Sequence, residues 1–174
     1  MADMEKKIRE QLAEEIRAFR LPRYDELPQV GLYLDQTVKY INACLAPLGC
    51  LSITGSMVRN YVKQGLVANP VHKHYGADQI GYLLCTAVLK QVMPLEDVQR
   101  FFARKEGLYD NRVAYDYFCT EMENVLQYRF GLKETLEEVG VTHSLEKEML
   151  RSAITAVSHM IYLNQCFRRL YPVD

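Results

Sequence analysis

The chain has 174 residues, 49% hydrophobic and 25% charged, which is enough to bury one good core and too apolar for wholesale disorder. Its formal net charge of −1 neither favours nor excludes nucleic acid as a partner. No uncharged apolar run approaches the roughly 18 residues of a membrane span, and the N-terminal MADMEKKIREQLAEEI is too charged for a signal peptide. A cytoplasmic location without membrane association is therefore expected. The five cysteines (Cys44, Cys50, Cys85, Cys119 and Cys166) are odd in number and scattered, without a CxxC pair. Free thiols are expected, with no metal and no cofactor. No phosphate-binding glycine loop, GxSxG or HExxH occurs. No catalytic residue is assigned and an enzyme is not expected.

In chain order, Met4, Ile8, Leu12, Ile16 and Phe19 recur at spacings of three and four and predict a helix over 4–20. Pro22, Pro28 and Gly31 then mark an irregular connector. A helix begins at Leu34 with the stripe Val38, Ile41 and Leu45, and Pro47 and Gly49 end it. A short helix follows Thr54 or Ser56, either of which can serve as its N-cap, and Gly65 suits the position past its end. Val67 to Tyr75 reads as a loop or small hairpin. Helices are predicted from Ala77 to Val92 and from Leu95 to Ala103, divided by Pro94, and then over 111–130 and 145–171. The last of these is apolar nearly all round between Ala153 and Leu163, as in a helix buried against several others or set in a dimer interface.

The charges are unevenly spread. Between Gln36 and Ala77 there is no Asp or Glu, while Lys39, Arg59, Lys63 and Lys73 are present with His72 and His74 beside them. Duplex DNA is bound largely by Lys and Arg neutralising phosphates, so this window is the natural place for a nucleic-acid contact. Within the short helix, Arg59 and Lys63 stand four residues apart and share a face.

The run Ser56-Met57-Val58-Arg59-Asn60-Tyr61-Val62-Lys63-Gln64-Gly65-Leu66-Val67, followed by Pro70 and by His74-Tyr75-Gly76, resembles the DNA-binding domain of the MerR family. Val58, Arg59, Tyr61, Gly65 and Leu66 hold the spacing of that family's recognition helix. Leu95-Glu96-Asp97-Val98 resembles the opening of the second helix after its wing. Asn60 replaces an aromatic residue, and the wing is short, with His72, Lys73 and His74 in it. The segment LPRYDELPQVGLYLDQTVKYIN resembles the opening of an uncharacterised bacterial family known only as a domain of unknown function. The resemblance implies an all-α fold: a MerR-like winged helix-turn-helix over 34–105, an N-terminal helix and connector over 1–33, and a C-terminal helical extension over 108–174.

The function so implied is a DNA-binding transcriptional regulator that reads duplex DNA with the 54–65 helix and the 67–75 wing, as a homodimer. The expected DNA-contacting residues are Thr54, Ser56, Arg59, Asn60, Tyr61, Lys63, His72, Lys73, His74 and Tyr75. Met149, Ala156, Met160, Leu163, Phe167 and Leu170 form the candidate dimer contact, with packing inside the chain as the equal alternative. A small-molecule effector in the C-terminal helices is a further candidate partner, because Tyr109, Tyr115, Tyr117 and Tyr128 cluster there. The alternative function is a protein-interaction or adaptor module that keeps such a fold without binding DNA.

Overall fold

A computed structural model describes residues 2–105 and 107–172. The chain is all-α: α1 Ala2–Arg17, α2 Leu34–Leu45, α3 Gly55–Lys63, α4 Ala77–Leu89, α5 Leu95–Lys105, α6 Asn111–Arg129 and α7 Leu145–Leu170. Two short 3₁₀ turns, Tyr24–Glu26 and Ala46–Leu48, lie in the connections. Extended pairing among the described residues is confined to the isolated bridges Leu32–Tyr75 and Val71–His74. No helix among those residues is long and apolar enough to cross a membrane.

The expected helices all form, and their ends differ for local reasons. The first stops at Arg17 because Phe19 and Leu21 turn into the core outside it. The fourth stops at Leu89, and 90–93 continue as turns in which the N–H groups of Val92 and Met93 both donate to Leu89 O. Pro94 disfavours helical backbone at Met93, so the helix cannot run on into α5. Expectation and structure differ most at α7. One of its faces, with Ile154, Val157 and Ile161, is fully buried, while Leu163 and Phe167 are more than half exposed. The helix that is buried nearly all round is α4, through Ile80, Leu83, Leu84, Ala87, Val88 and Leu89.

One hydrophobic core runs from Leu12 of α1 to Ile161 of α7. α6 stands at its centre, packed on α1, α4, α7 and the 24–26 turn. Gly81 lets α4 approach α6 closely, since a Cβ there would meet the Tyr115 ring at 3.2 Å.

A buried charge fixes α6 against α7. The Glu121 carboxylate is fully buried and is met by Arg151, which forks onto both carboxylate oxygens. The same guanidinium donates to Glu138 at 2.9 Å and to the Glu137 carbonyl at 2.7 Å, so it also anchors the 131–144 connection. Removing one member of such a pair strands the other charge in the core, whereas replacing both with apolar groups does not. Arg151→Ala is therefore expected to lower stability by about 3–5 kcal/mol. The double change Glu121→Leu/Arg151→Met should cost far less, with urea unfolding of the three proteins as the check.

Candidate nucleic-acid interface

α3 begins at a defined point. The Thr54 hydroxyl accepts from Met57 N–H at 3.2 Å, the N-cap bond expected of it. The helix ends where Gly65 adopts φ +75°. Between these ends the residues separate by face. Val58 and Tyr61 are buried, with Met57 and Val62 half-buried beside them, while Ser56, Arg59, Asn60 and Lys63 are exposed. The exposed four span about two helical turns, or roughly 10 Å at ~1.5 Å per residue.

Side chains from both neighbouring helices set the pose of α3. Asn42 of α2 uses its whole amide: Nδ2 donates to Ile53 O at 2.9 Å and Oδ1 accepts from Ile53 N–H at 2.8 Å. This satisfies the extended backbone just before α3, which lies outside any helix. At the far end, Gln99 of α5 donates to Gln64 O at 2.9 Å. Gln79 of α4 donates to the carbonyls of Ala68 and Asn69 and accepts from Gly76 N–H.

The loop after α3 closes as a two-residue hairpin. Val71 and His74 exchange both backbone hydrogen bonds, at 3.0 and 2.9 Å, with His72 and Lys73 at the tip. Both tip residues have positive φ, 49° and 68°. This is the backbone of a type I′ turn, in which Asn and Gly are the favoured residues. The hairpin is tied to the connector by the Leu32–Tyr75 pair, at 3.0 and 2.8 Å. Gly31 permits that approach, because a Cβ there would fall 2.7 Å from the His74 Cβ. The Tyr33 ring lies on His74, centroids 4.1 Å apart.

The ten expected contact residues thus fall into two groups. Ser56, Arg59, Asn60, Lys63, His72 and Lys73 are exposed, Thr54 is exposed but engaged as the cap, and His74 is half-buried beneath Tyr33. Tyr61 and Tyr75 are 2% and 4% exposed, so they hold this surface from beneath. Burial raises the pKa of the Tyr75 phenol, and the positive charge of Arg59 opposes that rise, which places α3 and the hairpin within electrostatic reach. Asn60 already accepts a hydrogen bond from Gln64 at 3.2 Å. Among the described residues, Arg59, Lys63 and Lys73 have no carboxylate partner, in contrast to Arg20, Arg23, Arg100, Arg104, Arg112, Arg151 and Arg169.

Sequence reasoning missed the side chains that position the surface: Asn42, Gln79, Gly31 and Tyr33. Asn42 carried the one readable signal, a polar residue next to the buried Ile41 of α2. Asn42→Ala removes two hydrogen bonds to the backbone of one buried residue and leaves both groups of Ile53 unpaired. Each such loss costs about 1–3 kcal/mol, so a fall of roughly 2–4 kcal/mol is expected in denaturant unfolding. Asn42→Asp, which keeps only the acceptor, should fall between Ala and wild type.

The chain belongs to the family described as Domain of unknown function (DUF1836), whose sequence model matches residues 22–118. The match takes in the connector, both helices flanking the 46–54 turn, the hairpin, α4, α5 and the first turns of α6. No curated protein and no solved structure matches the chain. These comparisons correct the resemblance to the MerR family, to which no finding points. The physical reason lies in the motif itself. Val58, Tyr61 and Leu66 are the buried side of a short helix and Gly65 is its left-handed terminator, so packing alone accounts for most of that spacing.

Proposed function

We propose that the chain is a DNA-binding transcriptional regulator that uses α3 and the 67–75 hairpin on duplex DNA, as a homodimer. In this reading α2 and α3 form a helix-turn-helix, α3 enters the major groove, and the hairpin is a small wing on the flanking backbone. The observation that carries it is the set of unpaired cations Arg59, Lys63 and Lys73, presented from a region without a single acid. The strained tip adds support. Left-handed backbone at a non-glycine residue costs about 1–2 kcal/mol, and such strain concentrates where function holds a side chain in place.

α7 supports the dimer. Met149, Ala153, Ala156, Met160, Leu163, Phe167 and Leu170 follow strict alternating steps of four and three, the repeat of a coiled-coil seam. Of these, Met149, Ala156, Leu163, Phe167 and Leu170 are exposed. The stripe is about 30 Å long at ~1.5 Å per residue. An open groove between α7 and the α4–α5 pair continues it beside Met149 and Ala156. Glu148 at one end and Arg168 at the other are exposed and have no ion-pair partner among the described residues. Antiparallel pairing of two copies brings each Glu148 toward the other chain's Arg168, with the contact centred near His159.

One observation favours the second reading, a protein-interaction module. Val30, Tyr33 and Val71 are exposed around the Leu32–Tyr75 bridge and give the hairpin an apolar flank.

Two experiments decide. Genomic fragments retained by the protein at two salt concentrations should converge on a discrete near-palindromic site. Arg59→Ala/Lys63→Ala should lose that retention and lower the salt slope by about two, at ~0.9 per phosphate contact. Failure to retain DNA even at low salt refutes the DNA reading and leaves the apolar flank of the hairpin as the place to seek a protein partner.

The dimer is tested by light scattering. Leu163→Glu/Phe167→Glu should halve the mass of the particle. Glu148→Arg should weaken association, and Glu148→Arg/Arg168→Glu should restore it. A monomeric wild type removes the dimer; a charge swap that restores nothing removes its antiparallel order.

A further inference from the structure

Beside α4 lies a cavity of about 160 Å³. It is enclosed by α4, α5, α6 and the first turns of α7, with Tyr24 of the connector in its wall. The sequence points to an effector in the C-terminal helices; α4 and α5 supply much of the wall as well. The lining is almost wholly apolar and is dominated by rings: Phe101, Phe102, Tyr82, Tyr115, Tyr117 and Phe118. Tyr82 and Phe102 meet edge to face at 5.0 Å, and Tyr24 and Tyr115 at 6.5 Å. Such rings offer both π faces and electropositive edges to a further ring placed between them.

The charged groups at the lining are already engaged. Asp78 accepts from the Tyr24 hydroxyl at 2.7 Å, Glu146 is paired with Arg104, and Lys147 donates to the carbonyl and hydroxyl of Thr142. Lys147 and Asp78 keep their charges, but their hydrogen-bonding groups are taken up by these neutral partners and the rest of the lining is almost wholly apolar, which disfavours an ionic guest. Size sets the second limit, since an apolar cavity of about 150 Å³ suffices to bind benzene.

We infer that this cavity is a binding site for a small, neutral aromatic molecule of one or two rings. As the effector site of a DNA-binding protein the inference rests on the reading above; as a binding site it stands alone. Its position supports an effector role, because the Tyr24 hydroxyl and Gln79, at the start of α4, hold the connector and the hairpin loop. A guest lying against Tyr24, Gly81 and Tyr82 therefore touches the elements that pose the proposed DNA surface.

The test is calorimetric titration of the whole protein, without DNA, using indole, benzoate and cyclohexanol as probes. Indole should bind with a Kd below about 1 mM, a level reachable by a ligand of some nine heavy atoms. Benzoate and cyclohexanol should each bind at least about tenfold more weakly, from their charge and their lack of a π face. Cys85→Phe fills the cavity from α4 and Ala114→Leu from α6, so either variant that keeps its helical signal should lose indole by at least about tenfold. No indole binding by wild type overturns the proposal, as does undiminished binding by both filled variants. Equal binding of cyclohexanol or benzoate overturns the assigned ligand class. Repeating the titration with the retained DNA fragment separates the two readings. Indole binding by a protein that holds no DNA sustains the pocket and removes only the regulator.

Discussion

The arrangement depends on how α6 holds the connector that precedes the DUF1836 helices. Residues 21–24 have no helix to satisfy their backbone, and buried peptide groups left unpaired are costly. α6 supplies the partners. Glu123 accepts from Leu21 N–H at 3.0 Å, Asp116 accepts from Tyr24 N–H at 2.7 Å, and the Tyr115 hydroxyl donates to Pro22 O at 2.9 Å. Arg23 then forks onto Glu123 at 2.7 and 2.8 Å, which neutralises the charge the backbone needed. That hydrogen bonding is the chief reason the Arg23 pKa rises against its partial burial. With the connector sewn down, Leu27 enters the core and Gly31 and Leu32 arrive beside Tyr75. The hairpin that carries His72 and Lys73 is thus placed by a helix more than forty residues further along the chain.

Charge is distributed in keeping with this division of labour. Arginines that join elements, such as Arg23, Arg104 and Arg151, are matched with carboxylates. The cations of α3 and the hairpin are not, and no acid stands near them in sequence to match them. A fold optimised only for stability has no need of non-glycine residues in the left-handed region at 72 and 73, where Asn-Gly would relieve the strain. Unpaired charge and strained backbone are independent features, and they coincide on one surface.

The helices were legible because each carries a clean period with a stop beside it: Pro22, Gly49, Gly65 and Pro94 each lie at or just past an end. The cap was legible only as a choice between Thr54 and Ser56, which the bond from Met57 N–H decides for Thr54. What could not be read was tertiary. Asn42 and Gln79 are ordinary helix residues until the backbone they clamp is brought to them. The exposure of Met149, Leu163 and Phe167 depends on which face of α7 meets α6, and a helix apolar on two faces does not declare that. The motif over 56–67 misled because the demands of a short amphipathic helix ending in glycine imitate a family signature. Tyr109, Tyr115 and Tyr117 signalled a ring-lined space, but Tyr128 stands outside it, and Phe101, Phe102 and the α4 wall were not foreseen.

α4 is where these features meet. Its first turn holds the hairpin loop through Gln79 and the connector through Asp78, and Gly81 seats the Tyr115 ring. Its last residue, Leu89, lines both the aromatic cavity and the groove that opens toward the α7 stripe. The phenol of Tyr24 is pushed up to about 12, chiefly by its bond to Asp78, so it stays a neutral donor throughout the physiological range. The donor in this contact between connector and α4 therefore does not ionise in that range. A molecule in the cavity lies against that ring, and a second chain on the stripe lies against the far end of the same helix. Coupling between sites requires an element whose position each of them biases, and it is reciprocal where it exists. α4 is buried nearly all round and packs on α2, α6 and α7. Gln79 and Tyr24 join α4 to the backbone on either side of the Leu32–Tyr75 bridge, so α4 is the element through which a guest in the proposed site would reach the hairpin.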